Sequence, residues 1–170
     1  MTMEELTRLG SWVETELSAS TKLRLHYSHP LAFRPLQKMF GTGGTGCAVC
    51  GILGIIGVLA DGSYAMCGIG ETIPELVFGH AAKDRLANVW NENPVMNELR
   101  RGMPKRLEGI CGDCMMSYIC KGSCIAQNYL INKSLWAPFW YCEEARKKGQ
   151  FPESRVIVKK EEVLPVIPGT

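Results

Sequence analysis

Apolar residues at Met3, Leu6, Leu9, Trp12, Val13 and Leu17 recur at helical spacing, which predicts an amphipathic helix over residues 2–17. Thr2 and Glu5 stand three apart at its start, the arrangement in which each side chain accepts the other's backbone N–H. The period then changes. Leu23, Leu25 and Tyr27 alternate with polar neighbours and predict a strand over 21–27. Residues 31–40 return to helical spacing, with Pro35 early enough to sit in a first turn. Helix, strand, helix over 1–40 reads as the last unit of a partial β/α barrel. One such unit cannot close a barrel, so its apolar face needs a partner or a further copy.

From 41 to 46 the chain is glycine and threonine only. Glycines can bring backbone amides close to a phosphate, but no Lys-Ser/Thr follows and the dinucleotide spacing is missing, so the segment reads as a linker. Residues 52–66 predict a hairpin turning at Asp61-Gly62. Its apolar run falls short of the about 20 residues that span a bilayer, so no membrane segment is expected. Residues 80–109 are polar and helical in character, with Pro94 and Gly102 bracketing a helix over 95–101. Arg85, Arg100, Arg101, Lys105 and Arg106 make this stretch basic, yet net charge is only +2 and no aromatics interleave, which reads as a solvated face and not a nucleic-acid surface. Residues 125–131 predict another helix. Trp136, Phe139, Trp140 and Tyr141 then crowd together as core, and 151–170, with three prolines, reads as a peripheral tail.

Composition adds the chemistry. The chain has 170 residues, 46% of them hydrophobic, and 8 cysteines. Cys111-x2-Cys114-x5-Cys120-x3-Cys124 is a tight run, Cys142 follows it, and Cys47, Cys50 and Cys67 lie upstream. Thiolates two or three residues apart can converge on one soft metal centre, and the count makes two groups of four. A disulfide framework is the rival reading. It is disfavoured because no secretory signal is read at the start and the chain is long enough to bury a core unaided. Zinc and iron-sulfur clusters both accept four thiolates. Wider spacings after the single Cys-x2-Cys, glycines nearby, and the distance of His26, His29 and His80 from the run favour clusters, with zinc remaining open.

Cys50-x11-Gly62-x4-Cys67, a gap, Cys111-x2-Cys114-x5-Cys120-x3-Cys124, a gap and Cys142 resembles the SPASM domain, the auxiliary-cluster module at the C-terminus of radical S-adenosylmethionine enzymes that mature peptides and proteins, including anaerobic sulfatase-maturating enzymes. Residues 60–67, 88–94 and 120–124 add to the likeness, which covers about 47–150. Many members read Gly-Gly-Cys-Arg where this chain has Gly122-Ser123-Cys124-Ile125. The resemblance implies an α+β fold: a β-hairpin and helices around two 4Fe-4S clusters. It assigns Cys47, Cys50, Cys67 and Cys124 to one cluster and Cys111, Cys114, Cys120 and Cys142 to the other. The domain division would be 1–40 for the barrel-like unit, 41–150 for the SPASM-like domain and 151–170 for the tail. The Cys-x3-Cys-x2-Cys loop of a radical core is absent, Gln127 standing where its third cysteine would fall after Cys120 and Cys124. S-adenosylmethionine is therefore not expected on this chain alone. The resemblance implies a cytoplasmic electron-transfer and substrate-engaging module, partnered by a radical core chain or a missing N-terminal domain and by a peptide or protein substrate. The alternative is a zinc-stabilised binding module without a redox role.

Overall fold

The computed structural model describes residues 2–23, 25, 30–42 and 50–157. Its first helix, Met3–Trp12, starts as its sequence predicts: Thr2 N–H donates to Glu5 Oε2 at 2.7 Å and Glu5 N–H to Thr2 Oγ1 at 3.2 Å. It continues through a wider turn, Val13–Leu17, to Ser18–Ser20. Met3 is buried, whereas Leu9 and Trp12 of the same stripe remain exposed.

Two expectations for the N-terminal unit need revision. The described part of the predicted strand is not one: Lys22 and Leu23 bend, and Leu23 Nα is held by the Thr21 hydroxyl. Residues 24 and 26–29, with His26 and His29, lie outside the described residues. The predicted helix over 31–40 is also divided. Leu31–Phe33 is a single 3-10 turn, Arg34 is extended, and a short helix runs Leu36–Phe40. The cause is Pro35, whose ring pushes the preceding residue out of the helical region.

The hairpin forms where expected but is shorter. Strand β1 (Gly57–Val58) pairs antiparallel with β2 (Ser63–Ala65), Gly57 opposite Ala65, and Asp61 Oδ1 accepts the Ser63 N–H in the turn. A third strand, β3 (Val77–His80), that the hydrophobic pattern did not reveal pairs with the other edge of β2 through a bulge at Tyr64/Ala65. His80 fastens this sheet. Its Nε2 donates to the Asp61 carbonyl at 2.9 Å and its Nδ1 accepts from Ala82 N–H at 3.0 Å.

Helices Leu86–Glu92 and Pro94–Gly102 follow, the second capped by the Asn93 side chain. Short helices Gly109–Gly112 and Ser117–Cys120, then Ile125–Asn132 and Trp140–Lys147, complete the α+β fold. No helix among the described residues is long and apolar enough to cross a membrane.

Two hydrophobic clusters organise these elements. One joins Met3, Leu31, Ala32 and Met39 to Ile110, Met116, Tyr141, Ala145 and Phe151, so the N-terminal unit shares its core with the cysteine-bearing helices. Phe33 stands edge-on to both Tyr141 (5.2 Å) and Phe151 (5.7 Å), contacts worth about 0.5–1.5 kcal/mol each beyond area burial. The other cluster packs Ile52, Met66, Ile73 and Leu76 against Leu99, Leu107, Ile125 and Trp136. Phe151 is thus core and not the start of a peripheral tail, and Val156 bridges to Cys114. Residues 158–170 lie outside the described residues.

Candidate metal centre

Four thiols converge between these two clusters. Cys111 rides on helix Gly109–Gly112, Cys114 follows it, Cys120 ends helix Ser117–Cys120, and Cys142 lies in Trp140–Lys147. All four line one small cavity, whose other walls include Leu31, Ala32, Ile110, Met116 and Phe151. Hydrogen bonds set the Cys111 helix against the segment that carries Cys142. Glu143 accepts the Ile110 N–H at 3.2 Å, and Glu108 N–H donates to the Trp136 carbonyl at 2.9 Å.

The electrostatics of this cavity are those of crowded, desolvated thiols. Burial pushes Cys111 up to about 11, the Phe139 N–H opposes it, and Cys120 and Cys114 add to the rise. Cys142 is pushed up further, by burial first and then by Cys111, Cys120 and Cys114. Burial also raises Cys114 and Cys120. Each thiolate would repel the others in an apolar wall, so four can coexist only beside a compensating cation. The sulfurs are meanwhile supplied with donors: Phe139 N–H reaches Cys111 Sγ at 3.3 Å and Met116 N–H reaches Cys114 Sγ at 3.4 Å. Ser123, Leu31 and Gly122 amides act on Cys120 in the same sense. A metal group held by thiolates is served by this pattern, because amide hydrogen bonds stabilise charge on sulfur. The donor set fits such a group.

Cys124 is not part of that wall. Between Cys120 and Cys124 the backbone takes three successive left-handed residues, Lys121 (φ 51°), Gly122 (φ 75°) and Ser123 (φ 63°). Glycine is at home there, whereas Lys and Ser each carry strain of about 1–2 kcal/mol. This reversal leaves Cys120 on the four-thiol cavity and sends Cys124 to the N-terminus of helix Ile125–Asn132, on the side of the hairpin. There Cys50 is raised, by burial first, and feels Cys124 and Cys67, with the Ile52 N–H and Lys121 drawing it down. Cys67 leaves β2 beside β1, where a Cβ on Gly57 would come within 2.9 Å of the Cys67 carbonyl carbon, so only glycine lets the hairpin close on it. Cys50 is exposed, and Cys67 and Cys124 are half-buried. Cys47 lies outside the described residues. Among the described residues, no three His, Cys, Asp or Glu side chains close around a single-ion position.

His80 stays with the sheet and takes no part in either thiol group. Two contributors carried no sequence signal of their own type: the Phe139 and Met116 amides, whose role depends only on where the backbone points. Asn128 is different. An amide side chain amid the apolar residues of 125–131 is visible as an anomaly, and it proves to be 1% exposed and bonded to backbone carbonyls.

Residues 47–115 match the SPASM family, an iron-sulfur cluster-binding domain. The match includes Cys47, Cys50, Cys67, Cys111 and Cys114 and stops short of Cys120, Cys124 and Cys142. No curated protein and no solved structure matches the chain.

Proposed function

We propose, from the match of residues 47–115 to the SPASM iron-sulfur cluster-binding domain, that the chain is a two-cluster electron-transfer module of a radical S-adenosylmethionine system that matures a peptide or protein in the cytoplasm. One 4Fe-4S cluster takes Cys111, Cys114, Cys120 and Cys142. The other takes Cys50, Cys67 and Cys124, with Cys47 as its fourth ligand. Full cysteine ligation leaves no iron open to substrate, so clusters bound there supply one-electron transfer. The protein's own part is to bury the thiols, donate amides to their sulfurs and exclude water. A radical core chain or N-terminal domain supplies the cofactor-cleaving chemistry.

The observation that carries this reading is the four-thiol cavity. Four thiols suit zinc or a cluster alike, and the match of residues 47–115 to an iron-sulfur cluster-binding domain favours the cluster. The test is anaerobic reconstitution of the whole chain with iron and sulfide. A brown protein with about eight irons and matching acid-labile sulfide is expected, since two cubanes hold four irons each. Zinc bound without labile sulfide would overturn it in favour of a zinc-stabilised binding module.

A further inference from the structure

The helix that carries Cys142, Trp140–Lys147, has a second face. Tyr141, Cys142 and Ala145 are buried on one side, whereas Trp140, Glu143, Glu144, Lys147 and Lys148 follow at helical spacing along the other. That other side lines a cleft of about 400 Å³, whose remaining walls are the start of the first helix (Thr2, Met3 and Glu4) together with Ile131, Asn132 and Pro138. Ligand sites typically fall between about 300 and 1,000 Å³. The cleft shares no lining residue with the four-thiol cavity.

Its charges are unevenly used. Lys148 Nζ bridges Glu4 and Glu144, the latter at 3.2 Å, so one ammonium holds two carboxylates and ties the first helix to this one. Glu143 pairs with no cation among the described residues. Its carboxylate is nonetheless held in place. Oε2 accepts the Ile110 N–H at 3.2 Å, and a Cβ on Gly109 would come within 2.7 Å of that oxygen, so glycine there leaves it room. Oε1 has no donor among the described residues. With Glu4, Glu143 and Glu144 set against Lys147 and Lys148, the lining carries one negative charge in excess. A fixed carboxylate beside an indole and apolar walls suits a basic side chain, whose head takes a charge-assisted hydrogen bond while its stem lies on Trp140 and Ile131. We propose that this cleft binds a segment of a peptide or protein partner in which an arginine or lysine, flanked by apolar residues, pairs with Glu143. The inference gives the peptide or protein partner of the proposed function a chemistry, and it rests on that part of the reading alone.

The probe is a fluorescein-labelled Gly-Gly-Leu-Arg-Leu-Gly peptide, titrated by anisotropy against the whole reconstituted chain. Saturable binding is expected. It weakens about ten-fold in E143Q, whose amide oxygen still accepts the Ile110 N–H, and about as much when glutamine replaces the arginine of the probe. The two losses do not add, because each removes the same pair. E92Q, an exposed carboxylate outside the cleft, binds as wild type does. Should E143Q unfold, I131K takes its place. Ile131 is 56% exposed, and a cation there repels the arginine probe while sparing the glutamine one. Equal binding of both probes, indifference to the charge variant, or no saturable binding overturns the inference. A chain that ignores the probe and sediments as a dimer broken by I131K makes the cleft a contact between copies, which overturns it too. Iron and labile sulfide are measured on the same samples. Clusters without binding sink this inference alone, whereas zinc without sulfide sinks the cluster reading and leaves the titration to decide the cleft.

Discussion

Asn128 Nδ2 donates to the Gly122 carbonyl at 2.9 Å, and the same nitrogen donates to the Ala137 carbonyl at 3.2 Å. One buried amide thus ties the left-handed turn between Cys120 and Cys124 to the segment leading into Cys142. Asn128→Ala would leave both carbonyls unpaired and release the strained turn. A loss of about 2–3 kcal/mol is expected, read as a lower urea midpoint with unchanged slope, together with reduced iron content. An unaltered midpoint would show that the turn holds without the amide.

The reversal at 121–123 separates neighbouring cysteines. Cys124→Ala is expected to remove the cluster at Cys50 and Cys67, and Cys142→Ala the cluster at Cys111, Cys114 and Cys120. Each variant then holds about four irons, and the two retain different spectroscopic signals. Loss of the same signal in both variants would refute the division.

Burial makes the metal-free protein sensitive to alkali. The Cys111 thiol stands at about 11 against an ordinary 9.0, and Cys142 is shifted further the same way. Above about pH 9 the unfolded chain has released these protons while the folded chain still holds them, so stability is full below that pH and is lost as pH rises through 11. For Cys111 alone the loss is roughly 2–3 kcal/mol. With the thiolates bound to metal this slope disappears, since no proton remains to lose. Denaturation curves of chelated and loaded protein at pH 7.5, 9 and 10.5 compare the two, and parallel declines would contradict the assignment.

Cofactor cleavage is not expected from this chain alone. Its cysteines include no Cys-x3-Cys-x2-Cys loop, so the loaded protein given S-adenosylmethionine and dithionite should form no 5'-deoxyadenosine. Stoichiometric or greater product, quantified by chromatography, would reverse this.

Local chemistry made parts of the fold legible. The Thr2–Glu5 capping pair, the Asp61-Gly62 turn and the Pro94–Gly102 helix all rest on contacts within a few residues, and each formed where its residues stand. Pro35 was legible too, but its effect on Arg34 outweighed the helical spacing around it. Strand β3 escaped notice because Val77–His80 is half-buried throughout and does not alternate. The grouping of Cys111, Cys114, Cys120 and Cys142 was implied by the family resemblance and not by spacing, which alone would join Cys120 to Cys124, whereas the Phe139 and Leu31 amides that serve those sulfurs come from distant backbone. No local pattern encodes them. Phe151 and Val156 were misread for the same reason, their partners lying far back in the sequence.

The cavity draws Leu31 and Ala32 from early in the sequence, and Cys142 and Phe151 from late in it. During synthesis, then, almost the whole described chain must leave the ribosome before this cavity can close. The sheet needs far less of it, and the Cys50–Cys67 side is complete once Cys124 has emerged. Domains tend to fold as their residues emerge, so a growing chain presents the hairpin thiols first and the four-thiol chamber last. The two thiol groups are thus assembled in order along the chain, the hairpin side before the four-thiol chamber.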